Sequence, residues 1–332
     1  MESFYPEFKA VFTGLLAALE GRRVAVIGHA RPDGDCIGAQ VALARVLAAR
    51  GHEVICVNGD TVPRRLTFLT LGMTFFKPDE VAKRAGDYAA VFVDCADHAR
   101  GGQRAKAAFP HPVGNIDHHL SDAGFADINL VDSSSAATCE ILAGVLFDQG
   151  LKVDPQAAQA LYTGILTDTG QFRFQSTSRR CFVLAGELVA RGASPSVAGY
   201  ELYERETPGR LRLLERFLAS LRLECGGRVA VGTLAPESFS ETGTGPEDTE
   251  GLVDYARSMD GVEVGVLIEL QSNGPVKASL RSKEPSVRVD LIAGKFGGGG
   301  HACAAGLNMK DPPPDFRARL IEAIELQLAA KA

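Results

Sequence analysis

No cysteine in this chain has a partner at Cys-x-x-Cys spacing, and its seven cysteines form an odd, scattered set. That argues against a zinc ribbon or a disulfide framework and for a reducing compartment. No apolar run approaches the ~20 residues of a membrane span. The opening Met-Glu-Ser-Phe-Tyr-Pro-Glu is acidic and lacks the basic and apolar regions of a secretory leader. A cytoplasmic protein with no membrane partner is expected. A basic excess is missing too, the formal net charge being −6. Proteins that grip long duplex nucleic acid usually carry such an excess. A small or short substrate in a local pocket is therefore favoured, and no long duplex partner is expected. Internal repeats and low-complexity tracts are also absent.

What is present is a chain of 332 residues, 45% apolar, long enough for two domains with their own cores. Short apolar runs at 23–27, 54–57, 89–94 and 113–117 read as buried strands. They alternate with helix-patterned stretches, the first at 37–50 and closed by Gly51. Near-continuous apolar strands between helices indicate a doubly wound, mainly parallel α/β sheet covered on both faces. Sites in such sheets form at the carboxyl ends of the strands, where His29, Asp94 and Asp117 all fall. Helices are predicted at 138–149, 155–166, 178–191 and 208–223, the last amphipathic and suited to linking two domains. A second, smaller α/β pattern starts at 228–231. It has strands at 262–270 and 276–280, a short helix at 289–296, the run Gly297-Gly298-Gly299-Gly300-His301 and a last helix at 316–330.

The sharpest motif is Asp117-His118-His119. Three such side chains directly after a buried strand have little packing use, and desolvating them is costly unless they are paired or metal-bound. One histidine can ligate, its neighbour can touch substrate, and Asp117 can orient a ring. Upstream, Pro32 and Gly34 turn the chain so that Asp33 and Asp35 face the crevice of His29. Carboxylates this close repel unless cations sit between them. His29 and Asp33 can hold one metal and Asp35 a second; the plainer reading makes Asp35 a helix cap and Asp33 an Asx-turn. Asp94, followed by Asp97 and His98, can bridge two metals or stand as a solvated loop acid. Asp168 ends an apolar helix where a cation is preferred, and that misfit points to function. In the second half, Gly298, Gly299 and Gly300 let backbone N–H groups approach an anion, with His301 as a further donor. Arg281-Ser282, read as lying just after a strand, adds a cationic partner for phosphate. A flexible loop and a solvated strand end are the plainer readings there. Carboxylates plus imidazole with no thiolate suit Mn2+, with Mg2+ or Co2+ as alternatives.

In this order and number the motifs resemble the DHH phosphoesterase superfamily, and the resemblance covers nearly the whole chain. His29/Asp33/Asp35, Asp94, Asp117-His118-His119 and Asp168 match its first to fourth motifs. The 297–306 stretch with Arg281-Ser282 is similar to its DHHA1 domain. Length and the Gly-Gly-Gly-His element resemble the bifunctional oligoribonuclease and 3′-phosphoadenosine 5′-phosphate (pAp) phosphatase group, the nanoRNases. The resemblance implies a DHH catalytic domain at 1–195, a helical linker at 196–225 and a DHHA1 substrate-binding domain at 226–332. It implies two Mn2+ ions, one on His29, Asp33 and Asp94, the other on Asp35, Asp94, His118 and Asp168. His119, oriented by Asp117, would serve the scissile phosphate or the leaving oxygen, and Arg281, Ser282, His301 and the glycine backbone would bind the substrate's end. The implied activity is hydrolysis of short oligoribonucleotides to mononucleotides and of pAp, by in-line attack of a metal-bound hydroxide, in a protein that forms a homodimer. Alternatives on the same metals are a phosphodiesterase of linear or cyclic dinucleotides, a single-strand-specific RecJ-like exonuclease, and an inorganic pyrophosphatase or exopolyphosphatase. A nucleotide-binding sensor is the non-enzymatic alternative, and it would more naturally have lost a ligand.

Overall fold

The computed structural model describes residues 3–272 and 274–331. Met1, Glu2, Asn273 and Ala332 lie outside that description, so the expected domain limits at 1 and 332 rest on sequence alone. The chain divides into two compact units, Met1–Arg205 and Glu206–Ala332. The division falls within the stretch expected as a linker.

In the first unit six strands form one parallel sheet: β1 (Arg23–Ile27), β2 (Val54–Val57), β3 (Phe75–Phe76), β4 (Tyr88–Val93), β5 (Gly114–Asp117) and β6 (Ile128–Val131), in the order β3-β2-β1-β4-β5-β6. The order reverses between β1 and β4, which opens a crevice at the strands' carboxyl ends. Side-chain alternation splits the core in two. Val24, Val26, Val91 and Val93 pack on one face, under the helices α1 (Lys9–Leu19), α2 (Gly34–Ala49), α5 (Thr138–Asp148), α6 (Pro155–Asp168) and α7 (Arg179–Ala190). Ala25, Ile27, Ala90 and Phe92 pack on the other, with α3 (Pro78–Val81) and α4 (Gln103–Ala108). A short helix, α8 (Pro195–Gly199), completes the unit. Apolar side chains on both faces explain why these strands read as continuous apolar runs. The two strands not anticipated, β3 and β6, are the sheet's edges, only partly buried and so without a continuous apolar signal.

Helix α2 is buried nearly all round, because α5 and α6 cover the side that the sheet does not. Glycines make this approach feasible. A Cβ on Gly38 would stand 2.5 Å from the Ala160 carbonyl oxygen, and one on Gly164 would run into the Cys139 Sγ. This close packing brings the start of α2 against the start of α5 and the end of α6.

The second unit is a six-stranded mixed sheet, in the order β11-β12-β10-β9-β8-β7. Its strands are β7 (Arg222–Glu224), β8 (Val229–Leu234), β9 (Val264–Leu270), β10 (Val276–Ser282), β11 (Gly299–His301) and β12 (Ala304–Met309). Only β8 and β9 run parallel. One face packs on α12 (Val289–Gly294) and α13 (Phe316–Lys331), the other on α9 (Pro208–Ser220) and α11 (Leu252–Ser258), with α10 (Pro236–Thr242) at its side. Two expectations need correction here. Part of the glycine run is an edge strand, with Gly299 opposite Gly306 and His301 opposite Ala304; glycine carries no periodic signal, so the hairpin was hidden. Arg281 and Ser282 lie on β10 rather than after it. No helix among the described residues is long and apolar enough to cross a membrane. All seven cysteines are free thiols, five of them buried.

Candidate metal centre

Four chain segments deliver the expected side chains of the first unit to one place. His29 follows β1. Its Nδ1 donates to the Ala30 carbonyl at 2.8 Å, which leaves Nε2 facing Asp33 at 3.7 Å and Asp94 at 3.3 Å. Asp33 is the N-cap of α2, accepting from the amides of Asp35 and Cys36 at 3.1 Å each. The capping role considered for Asp35 therefore belongs to Asp33, and Asp35 points inward from the first helical turn. Asp35 is fully buried and accepts from the Thr138 and Cys139 amides at 2.6 and 2.8 Å, so the N-terminus of α5 stabilises its charge.

Asp94 ends β4 with a left-handed φ of 58°. Asp tolerates that conformation better than most residues, and here it turns the carboxylate into the crevice. The Thr138 hydroxyl donates to Asp94 at 3.1 Å, and the nearest imidazole nitrogens of His29, His118 and His119 stand 3.3, 3.5 and 3.7 Å away. His118 directs Nδ1 at the Ser135 carbonyl, 3.3 Å away. Its Nε2 lies 3.4 Å from Asp168, at the end of α6, and 3.9 Å from Asp35. Ser135 is itself anchored: Arg180 donates to its hydroxyl at 3.0 Å and to the buried Glu140 at 2.8 Å. His119 differs from the other two. Its Nδ1 meets the buried Asp117 carboxylate at 2.8 Å, and its backbone amide donates to the same group at 3.2 Å.

Two histidines are thus oriented by carbonyls and present Nε2 to carboxylates, as neutral ligands do. The third is backed by a carboxylate, as a proton-transferring histidine is. Among the described residues of the first unit, three groups of potential ligand atoms each lie within 4.8 Å of one another: His29, Cys36 and Asp94; Asp35, His118 and Asp168; Asp94, Asp117 and His119. The imidazole-to-carboxylate gaps of the first two groups exceed hydrogen-bond lengths. They come near the separation of about 3 Å between adjacent ligands of a cation bound at about 2.1 Å. Hard oxygens and imidazoles facing one another across such gaps fit divalent cations. Cys36, which sequence reading passed over, is in ligand reach, but burial pushes its thiol up to about 11, so it is neutral near pH 7.

Electrostatics records the crowding. Burial, then the charge of Asp94, raises Asp35 well above the carboxylate range; burial, then Asp35, Asp33 and Asp94, does the same to Asp168. Burial opposes the ionisation of Asp94, yet His29, His119 and His118 hold it below the ordinary range. Burial likewise disfavours charge on His29, and the carboxylates of Asp33 and Asp94 outweigh that, raising it well above its usual value. A pH dependence follows. Asp35, Asp168 and His29 bind protons more tightly folded than unfolded, so their contribution to stability is full below the unfolded pKa and is lost as pH rises through the folded one. Asp94 and Asp33, held low, lose their contribution only in acid. The metal-free protein is therefore expected to melt at progressively lower temperature as pH rises above the ordinary carboxylate range and on through the usual histidine value, and added divalent cation should flatten or reverse the trend. Scanning calorimetry with and without chelator checks this; a metal-free midpoint that rises with pH would contradict the crowding.

The second unit places its candidates differently. Arg281, Ala304 and His301 occupy one register row across β10, β12 and β11, so the two cationic or donor side chains flank a small residue. Ser282 is the next residue on β10, fully buried on the opposite, helix-covered face. Gly299 and Gly300 are exposed on the edge strand. Gly298 is in tight contact with the Gly306 carbonyl and Leu307, where a side chain has no room.

The DHH family model (DHH family, N-terminal domain) matches residues 23–165, and that of the DHHA1 domain matches residues 226–330. The chain is 32% identical to the bifunctional oligoribonuclease and PAP phosphatase NrnA of Thermus thermophilus, over 98% of this chain and 96% of that one. It is 27% identical to the protein of the same name from Bacillus subtilis, over 85% and 87%. Among solved structures, an exopolyphosphatase-related protein from Bacteroides fragilis shares the fold with a TM-score of 0.87 at 22% identity, covering 98% and 97% of the two chains. RecJ of Thermus thermophilus in complex with Mn2+ gives a TM-score of 0.55 at 14% identity, over 96% of this chain and 55% of RecJ.

Proposed function

This chain belongs to the DHH family and carries a DHHA1 domain, and on that premise we propose that it hydrolyses phosphoric esters, cutting short oligoribonucleotides to mononucleotides and removing phosphate from pAp. The names of its relatives support the substrate class. The observation that carries the reading is Asp94, one buried carboxylate within 3.3–3.7 Å of three imidazoles.

His29, Asp33 and Asp94 would hold one cation, and Asp35, Asp94, His118 and Asp168 a second, with Mn2+ the best match to this donor set. When bound, such a pair supplies Lewis acidity toward the phosphate and lowers the pKa of water to about 7. The protein's own residues do the rest. Asp117 fixes His119 with Nδ1 protonated, so Nε2 serves the substrate. Burial disfavours a charged His119, but the hydrogen bond to Asp117 and the charge of Asp94 outweigh it and raise the imidazole above its usual value. A histidine so raised takes up a proton more readily than a free imidazole and would give it to the departing oxygen. Arg281 and His301, in one row of the second sheet, would bind a phosphate or nucleotide group of the substrate.

The test is Mn2+-dependent turnover on 5′-phosphorylated di- to penta-ribonucleotides, pAp, pyrophosphate and long single-stranded DNA. Mononucleotide release from the short RNAs together with phosphate release from pAp is the expected result. Turnover of pyrophosphate alone, or of long DNA in preference to short RNA, would overturn it.

A further inference from the structure

The turn after β4 carries an arginine with an unpartnered buried nitrogen among the described residues. Arg100 sits in the 3-10 turn His98–Gly101, whose start is capped by Asp97. Its carbonyl accepts from the Ala30 amide at 2.7 Å, which pins its backbone beside His29. Its Nε is buried and has no hydrogen-bond partner among the described residues. Other arginines of the same unit are paired: Arg45 with Asp154, Arg180 with Glu140, Arg191 with Glu187. Arg100 is not remote from the centre, since its charge acts on the His119 imidazole. In the adjoining turn, directly after β2, is Asn58. Asn58 is 1% exposed, and neither polar atom of its amide has a partner. The turns after β1, β2 and β4 meet here: a Cβ on Gly59 would lie 3.4 Å from the Gly101 carbonyl oxygen and 3.9 Å from the Ala30 Cβ.

Leaving buried donors unsatisfied is costly, and such groups persist where a ligand completes them. A guanidinium offers a planar fork that matches phosphate oxygens. Pinned through its carbonyl to the turn that follows His29, Arg100 is placed to meet phosphate charge as that charge grows during displacement. We propose that Arg100, with Asn58 in the adjoining turn, is an anion hook that takes a non-bridging oxygen of the substrate's reacting phosphate. The proposal rests on the phosphoesterase reading and adds to it a charge contact from outside the ligand set.

Two measurements test it, on the full chain in Mn2+: steady-state turnover of a short RNA, and calorimetric titration with AMP. Arg100→Ala should lower kcat/KM by roughly 100-fold and weaken AMP binding by about 10-fold, with bound-metal content and melting temperature unchanged. Arg100→Lys, which keeps the charge but not the fork, should recover part of both losses. Wild-type kcat/KM and AMP affinity in Arg100→Ala would overturn the assignment. So would a fall in melting temperature and metal content that Arg100→Lys does not relieve, since that marks a purely structural residue. If Arg100→Ala does not fold, Arg100→Gln carries the same comparison. Should the wild-type chain turn over no phosphoester, the functional reading fails by itself, and the AMP titration still decides for or against Arg100.

Discussion

Asp94→Asn is expected to lower phosphoester turnover by roughly 10³-fold or more while the chain stays folded. Asparagine adopts the left-handed backbone of position 94 about as readily as aspartate, so the turn after β4 and the contacts of its neighbours survive. What disappears is the one charge that faces His29, His118 and His119 together. Metal content, measured by elemental analysis after dialysis, should fall along with activity, because an amide is a poor bridge between two cations. In the metal-free protein the same exchange should lower the melting temperature near neutral pH, because the charge that His29, His119 and His118 stabilise is lost. Asp94→Ala is the less informative variant: it adds backbone strain at a φ of 58° to the loss of charge. Wild-type turnover of Asp94→Asn in metal-replete buffer would remove Asp94 from the centre.

Asp117→Asn should give a comparable loss with a different signature. Exchanging the carboxylate behind a catalytic histidine for an amide costs on the order of 10⁴-fold in kcat, because the amide stabilises the wrong tautomer. Here the amide can donate to Nδ1, so His119 would hold its proton on Nε2 without the charge that Asp117 now supports. The expected outcome is a kcat lower by about 10³–10⁴-fold, with KM and metal content near wild type. Asp117 also lies in ligand reach together with Asp94 and His119. The two roles separate cleanly: if Asp117→Asn loses metal, Asp117 is a ligand and His119 is oriented by something else.

The strand-end rule accounts for how much of this site was legible. His29, Asp94 and Asp117 stand at the carboxyl ends of β1, β4 and β5, and each strand announced itself by an apolar run buried on both faces. Asp168 was visible as an acid at a helix terminus that disfavours acids. The rest depends on contacts made across long stretches of chain. Nothing local to Thr138 says that its amide and hydroxyl will meet Asp35 and Asp94. Nothing near Ser135 says that its carbonyl will set the tautomer of His118. Arg100 reads as an ordinary polar turn residue until its missing partner is seen in three dimensions. In the second unit, glycines without periodicity concealed a hairpin, and strand alternation separated Ser282 from Arg281, which their adjacency in sequence had joined.

The glycine-packed approach of α2, α5 and α6 also has a bearing on how the protein is made. Asp35 finds its amide partners on a helix that begins 103 residues later, and Asp168 comes later still. A growing chain that has completed β1, β2 and β4 already exposes most of the acids but has nothing to gather them. Contacts this distant in sequence are slow to form, so the centre is among the last parts of its unit to be assembled. Asp35 and Asp168 are therefore expected to face one another only once α5 and α6 have docked, late in the folding of the unit.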